Sequence, residues 1–342
     1  MRDSAQQVSD KEAGPMTLKA EPVEINWNSG LPIFASEAFL KTVANEYGWI
    51  GGTDDAGQLR CVLPYTITRK LGFQLVRFRV ETIPLAADLT LEEEESFLNN
   101  TMKCFRSLGH DLVIPSGNTA LFKTHPKGAL AVPYGTYVND LTRTEELLFS
   151  EVRKTYRNNI RRAMKAGVQI RHGMEHLDTS YELVAATLKR SDADVIKSYG
   201  DFKRSILGLG ENVRVFIAEH EGVMQGCLIS PFSNYGAFNW YCGSRPEPVL
   251  GSVHLLHWEA MRYFRAMGVK RFNFQGVRIN PEVGSKQEGI ATYKRGFGGE
   301  LVQGCMWKYI FRPLKSAAYS AAFRLLKGGD IVDLERHKLV TR

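Results

Sequence analysis

The sequence predicts a mixed α/β protein in which one sheet-and-helix unit is used twice. Two hairpin patterns suggest this, one over residues 49–67 turning at Asp54-Asp55-Ala56-Gly57, the other over 213–229 turning at Glu221-Gly222. Their outgoing strands also look alike, Cys61-Val62-Leu63-Pro64 against Cys227-Leu228-Ile229-Ser230-Pro231. A third observation is a pair of helix ends, each closed by glycine and followed by a strand. They read Met102-Lys103-Cys104-Phe105-Arg106-Ser107-Leu108-Gly109 and Met261-Arg262-Tyr263-Phe264-Arg265-Ala266-Met267-Gly268. At 342 residues the chain exceeds the usual single core. The expected division is a disordered tail at 1–25, a first unit at 26–143, a second at 144–312, and a C-terminal helix and tail at 313–342.

Taken in order, residues 36–47 predict a helix with Phe39, Leu40, Val43 and Ala44 on one face. Residues 73–80 predict a strand. A helix follows over 91–108, and its opening glutamates, from Glu92 to Glu95, suit the positive end of the helix dipole. A strand is expected to begin over 111–114. One long helix, 144–166, should join the halves, with Leu148, Val152, Tyr156, Ile160 and Ala163 as its apolar stripe. Arg153, Arg157 and Arg161 run beside that stripe, one turn apart, either as a solvated basic face or as a rail for phosphates beside an interdomain cleft. Residues 271–275 read as a buried strand ended by Gly276, followed by a loop and a short helix, 288–295, stopped by Gly296. Ligands of open α/β sheets bind where a strand's carboxyl end gives way to loop and helix, which puts Gln275, Arg278, Tyr293 and Lys294 at such a place. The last helix, 313–327, carries Leu314, Ala317, Ala318, Ala321 and Leu325 on one stripe. It is expected either to dock on its own domain or to touch an anionic membrane.

Composition narrows the chemistry. A net charge of +7 and a pI near 9.1 favour anionic partners. No apolar run approaches the ~20 residues that span a bilayer, and the N-terminus lacks the apolar core of a secretory signal. The expected place is the cytoplasm, at most peripheral to the inner face of its membrane. Five scattered cysteines with no C-x-x-C pair read as reduced thiols. His254 and His257, one turn apart, and His172 and His176 have no completing ligand set, so no metal is expected and the histidines read as structural or solvated. The motifs of serine hydrolases, P-loop ATPases and Rossmann dehydrogenases are absent.

Three segments carry a resemblance: YRNNIRRAMKAGVQI at 156–170, WYCGSRPE at 240–247, and RFNFQG followed by a loop and YKRGFGG across 271–299. In this order they resemble the FemABX family of aminoacyl and acyl transferases, which have a duplicated acetyltransferase-like (GNAT) fold related to the BioF2-like acetyltransferase domain. The resemblance covers the second half well and the first by architecture only. It implies tandem GNAT-like domains, here without the helical-hairpin arm of some relatives, and transfer of an acyl or aminoacyl group to an amine of a cell-envelope precursor.

By that resemblance Lys294 is the catalytic candidate, matching the lysine of an F/Y-K-x-x-F-G motif; a cation held in a dry cleft stabilises a developing oxyanion. Arg157, Arg161, Tyr241, Gln275, Arg278 and Tyr293 become substrate-binding candidates, facing a UDP- or lipid-linked acceptor. The family's acidic strand end is replaced here by Asn273-Phe274-Gln275-Gly276, which puts an acid's role in doubt. Residues 248–254 hold one glycine and no R/Q-x-x-G-x-G/A loop, which argues against a standard acyl-CoA donor. No tightly bound cofactor is expected. The donor is aminoacyl-tRNA or, alternatively, acyl-CoA acting on an amino sugar or small amine. A non-catalytic module binding an anionic envelope intermediate is the remaining reading.

Overall fold

The computed structural model describes residues 17–70, 72–191, 197–327 and 329–340. Its strands are β1 (Lys19–Val23), β2 (Glu46–Thr53), β3 (Leu59–Lys70), β4 (Phe73–Phe78), β5 (Ile83–Pro84), β6 (Leu112–Val113) and β7 (Leu130–Asp140), then β8 (Gln169–His172), β9 (Val213–His220), β10 (Val223–Ser233), β11 (Gly236–Phe238), β12 (Tyr241–Ser244), β13 (Arg271–Arg278) and β14 (Glu300–Ile310). The helices are α1 (Glu37–Val43), α2 (Leu91–Ser107), α3 (Glu145–Glu151), α4 (Lys154–Lys165), α5 (Leu177–Arg190), α6 (Tyr199–Leu207), α7 (Ser252–Ala266), α8 (Lys286–Arg295), α9 (Pro313–Lys327) and α10 (Ile331–Val340). The strands join one mixed sheet in the order β1-β2-β3-β4-β6-β14-β7-β13-β11-β10-β9-β8, with β5 on β3 and β12 on β10.

The repeat predicted from sequence is present. Each half holds a hairpin (β2/β3 and β9/β10), then a parallel strand pair joined by a crossover helix, β4–α2–β6 and β11–α7–β13. Gly109 and Gly268 leave the two helices with φ of +81° and +77°, a conformation open to glycine at little steric cost. Under α2, Phe97, Leu98, Met102 and Phe105 pack on Ile50, Leu63, Val76 and Phe78. Under α7, Leu256, Met261 and Phe264 pack on Phe216, Leu228, Phe272 and Phe274. A further cluster spans both halves: Phe34, Phe39 and Leu40 meet Phe202, Ile206 and Phe238. Burying each such side chain contributes about 1.5–3 kcal/mol.

The halves also trade strands. β7, read as no element in the sequence, lies between β13 and β14, and β14 ends on β6 through Tyr309↔Val113 and Ile310↔Leu112. Pro133 hides this strand from pattern reading. It stands one residue past the β13 ladder, which stops at Arg278↔Tyr134, so that ladder asks no hydrogen bond of it.

Several expectations need correction. Residues 19–23, placed in the tail, form β1 because Lys19 to Val23 pair with Thr53 to Trp49 on the β2 edge; residues 1–16 of that tail lie outside the described residues. The single helix over 144–166 is two, α3 and α4. Val152 and Arg153 are extended (ψ 131° and 134°), and the Arg153 N–H donates to the Gly296 carbonyl at 2.8 Å instead of continuing the helix. Gly276 does not end β13; it admits the Tyr134 hydroxyl, which a Cβ there would meet at 2.3 Å. The chain also does not finish with one helix: α10 follows and is pinned by buried Lys308, whose ammonium donates to Asp330 at 2.7 Å and Asp333 at 2.6 Å. No helix among the described residues is long and apolar enough to cross a membrane.

Candidate active site

The site begins where the sheet opens. β11 and β13 pair only through Ala237↔Phe272 and Phe238↔Asn273, and the Asn239 N–H adds a last bond to the Asn273 carbonyl at 2.9 Å. The chain then turns into β12, which pairs with β10, so β13 continues without a neighbour on that side. A bulge falls at the parting, with Gln275 in the left-handed region (φ 59°) and Asn273 Oδ1 accepting from the Gln275 N–H and the Thr136 hydroxyl, both at 2.6 Å. Successive carbonyls of a regular strand point to opposite sides; the bulge turns those of Gln275 and Gly276 towards one donor. That donor is Lys294, in the last turn of α8, which reaches them at 3.0 and 2.8 Å.

The wedge is enclosed, and burial shifts its ionisable groups. Burial lowers Lys294 to about 7 and raises the neighbouring Cys242 thiol to about 12. Burial also depresses His257 and His254 to about 4 and pushes the Tyr293 hydroxyl well above its usual value. His257, from α7, is fully buried. Its Nδ1 is 2.9 Å from the Val253 carbonyl, which can only accept, so Nδ1 carries the proton and Nε2 accepts from the Asn239 amide at 3.2 Å. The Tyr293 hydroxyl is 3.1 Å from the same Nδ1. Tyr156 from α4 closes the wedge edge-on to the His254 ring, with centroids 4.3 Å apart. The Gln275 side chain is 6 % exposed and its amide nitrogen has no partner, a buried donor left open.

Across β13 a cavity of roughly 440 Å³ runs between the halves. Glu81, Glu94 and Lys123 line it from the first half, Arg271, Asn273 and Gly276 from the second. Burial raises the carboxyl groups of both glutamates above their ordinary range. Lys294 lies behind this wall rather than in it, bonded to the Gly276 carbonyl that the cavity shares.

The structure therefore brings together Lys294, Tyr293 and Gln275. The others lie elsewhere. Tyr241 is a core aromatic between Phe202 and Trp240, with ring centroids 5.2 and 4.9 Å away. Arg278 is held by Glu335 of α10 at 3.0 Å. Arg157 donates to the Ser150 carbonyl, and Arg161 covers the Phe149 ring at 5.3 Å. Both arginines line a shallow surface groove that shares no residue with the cavity, so a phosphate rail along the interdomain cleft is not where they are. From sequence, His254 and His257 read as structural or solvated and Asn239 and Cys242 have no assigned role; the structure places all four in or beside the wedge. Two histidines one turn apart on the buried face of an otherwise apolar helix were the available signal. Among the described residues no group of His, Cys, Asp and Glu is arranged to hold a metal ion.

Residues 150–295, which contain the whole wedge, match the family model described as an acetyltransferase (GNAT) domain. No curated protein matches the sequence. Among solved structures, FemX superposes with a TM-score of 0.63 at 14 % identity, covering 87 % of this chain and 99 % of that one. The C-terminal domain of a putative lysylphosphatidylglycerol synthetase from Agrobacterium fabrum gives 0.52 at 13 % identity, over 84 % and 91 % of the two chains. A conserved protein of unknown function from Bacteroides thetaiotaomicron gives 0.51 at 10 %, over 81 % and 90 %. The fold is thus a tandem GNAT-type α/β fold arranged as in FemX, in agreement with the FemABX resemblance, and no long helical arm is present among the described residues.

Proposed function

We propose that the protein is an N-acyltransferase that moves an aminoacyl group from an ester donor to an amine of a cell-envelope precursor. Buried Lys294 carries this reading. Two of its three N–H groups are spent on the Gln275 and Gly276 carbonyls, which leaves one for an oxygen in the wedge. The amine lone pair attacks the acyl carbonyl carbon and the π electrons move to oxygen. Lys294 stabilises that oxyanion; as it collapses the C–O bond to the donor breaks, and the proton given up by the attacking amine passes to the departing oxygen, which leaves as the alcohol. The proposed division of labour gives the wedge, within 144–312, to the donor. The attacking amine is placed beside Lys294 at the wedge, and the cavity on the other side of β13, lined by Glu81, Glu94, Lys123 and Arg271, is left to the anionic part of the acceptor, whose phosphates the two cations suit.

Two observations favour an aminoacyl ester over acyl-CoA. α7 begins without a glycine-rich loop, and its Gly251 is covered by α4, where a Cβ would stand 2.0 Å from the Asn159 carbonyl oxygen. α4 also presents Arg153, Lys154, Arg157, Arg161, Arg162 and Lys165, which form no ion pair among the described residues and suit a polyanion such as tRNA. Thermal shift with coenzyme A, with tRNA and with a UDP-linked muropeptide tests the assignment. Stabilisation by tRNA and muropeptide is expected; stabilisation by coenzyme A would replace the donor, and no response to any would favour a non-catalytic module.

A further inference from the structure

α9 is turned inside out. Leu314 and Leu325 are each 89 % exposed, and Ala317, Ala318, Ala321 and Ala322 between them also face water. At about 100° per residue these six positions fall within an arc of roughly 140°, so the aliphatic stripe of the helix points outward. Its inner side carries buried Ser316, half-buried Ser320 and the half-buried rings of Tyr319 and Phe323, stacked 5.8 Å apart. The helix cannot roll to hide the stripe, because its first turn is tied down. Buried Asp111 accepts from Lys315 at 3.1 Å and pairs with Arg312 at 3.4 Å, Lys315 also bonds the Gly72 carbonyl at 2.9 Å, and the Tyr319 ring packs 5.6 Å from Phe73.

We propose that this face lies on an anionic lipid bilayer, with the apolar stripe at the acyl boundary and the flanking cations at the headgroups. The charge around the stripe selects the occupant. Arg324 on α9 and Lys70 at the adjoining end of β3 are exposed and form no ion pair among the described residues, and Arg312 is half-exposed. The nearby acids are already used: Asp111 by Lys315 and Arg312, Asp330 and Asp333 by Lys308. A second copy docking here would bring these cations against their own equivalents, whereas anionic headgroups neutralise them. The inference stands apart from the proposed chemistry, although a surface-bound enzyme would meet a lipid-linked acceptor directly.

The test is co-sedimentation of the full chain with vesicles of phosphatidylcholine alone and with equal parts phosphatidylglycerol. The wild type should bind the anionic vesicles, and Leu314→Asp with Leu325→Asp should weaken binding by at least about tenfold, given the loss of both apolar contacts. Lys70→Glu with Arg324→Glu should remove the preference for phosphatidylglycerol and its salt dependence. An unchanged Tm in both pairs establishes that they fold, as exposed positions allow; should the aspartates lower it, Leu314→Ser with Leu325→Ser must show the same loss. Absence of wild-type binding, undiminished binding of the leucine variants, or a dimer in sedimentation velocity that dissociates on Leu314→Asp with Leu325→Asp would each overturn the proposal.

Discussion

The two crossover units, β4–α2–β6 and β11–α7–β13, share a backbone plan and differ in what lies beneath their helices. α2 is closed at its start by a capping box, with Thr90 N–H on the Glu93 carboxylate at 2.8 Å and Glu93 N–H on the Thr90 hydroxyl at 3.1 Å. Phe97, Leu98 and Phe105 line its inner side, and burial there pushes the Cys61 thiol up to about 12. α7 has no side-chain cap, begins at a glycine that lets α4 approach, and buries the His257 ring, hydrogen-bonded to Asn239, among its apolar side chains, where the middle turns of α2 bury Thr101 as their one polar side chain. A buried polar cluster contributes less to stability than well-packed apolar side chains. Both copies bury polar groups, but only the second places a buried lysine and a buried histidine in one wedge, and on the proposed function it is there that the chemistry falls, with Glu81 and Glu94 of the first half on the cavity wall.

The comparison can be broken by mutation. Phe105→Ala in the first unit should cost about 3–5 kcal/mol of stability by chemical denaturation and leave the pH dependence of any activity unchanged. Lys294→Ala in the second should cost about 2.7–4 kcal/mol of barrier, a 10²–10³-fold loss of kcat, with a smaller loss of stability. Retention of full turnover would remove Lys294 from the mechanism. Acid stability sharpens the contrast. His257 and His254 are lowered to about 4 in the folded chain against 6.5 unfolded, so the unfolded state binds more protons between these values and stability falls as pH drops from 6.5 towards 4. The loss should be on the order of 2–3 kcal/mol per histidine and should shrink in His257→Gln. The same reasoning gives Lys294 the opposite end of the scale. Its folded value of about 7 against 10.5 means that stability gains as pH rises through that interval, a gain that Lys294→Met should abolish. Thr90→Ala, at the cap of α2, should cost only about 1 kcal/mol and leave turnover untouched.

Much of this was legible in the sequence. The hairpins, the helix–glycine–strand repeats and the α8 helix with Lys294 follow from local pattern, and the structure forms each of them. What stayed hidden depends on contacts distant in sequence. The break between α3 and α4 is made by the Gly296 carbonyl, β7 finds its place only between two strands from the other half, and Arg278 is claimed by an α10 residue. The stripe on α9 was read correctly, but its outward direction is set by Asp111. Tyr241 and Cys242 illustrate strand alternation: the residue matching the motif faces the aromatic core, and its neighbour packs with the cluster on the wedge side. His257 gave a weak signal because a histidine on a buried helical face becomes informative only when its partners are known.

The central claim is that Lys294 is held in an enclosed wedge where its proton is loosely bound. Its side-chain ammonium can be titrated directly by NMR in lysine-labelled protein, with the resonance assigned by its absence in Lys294→Arg. The account predicts a midpoint near 7, displaced when a donor analogue fills the wedge; a midpoint near the 10.5 of an ordinary lysine would contradict it.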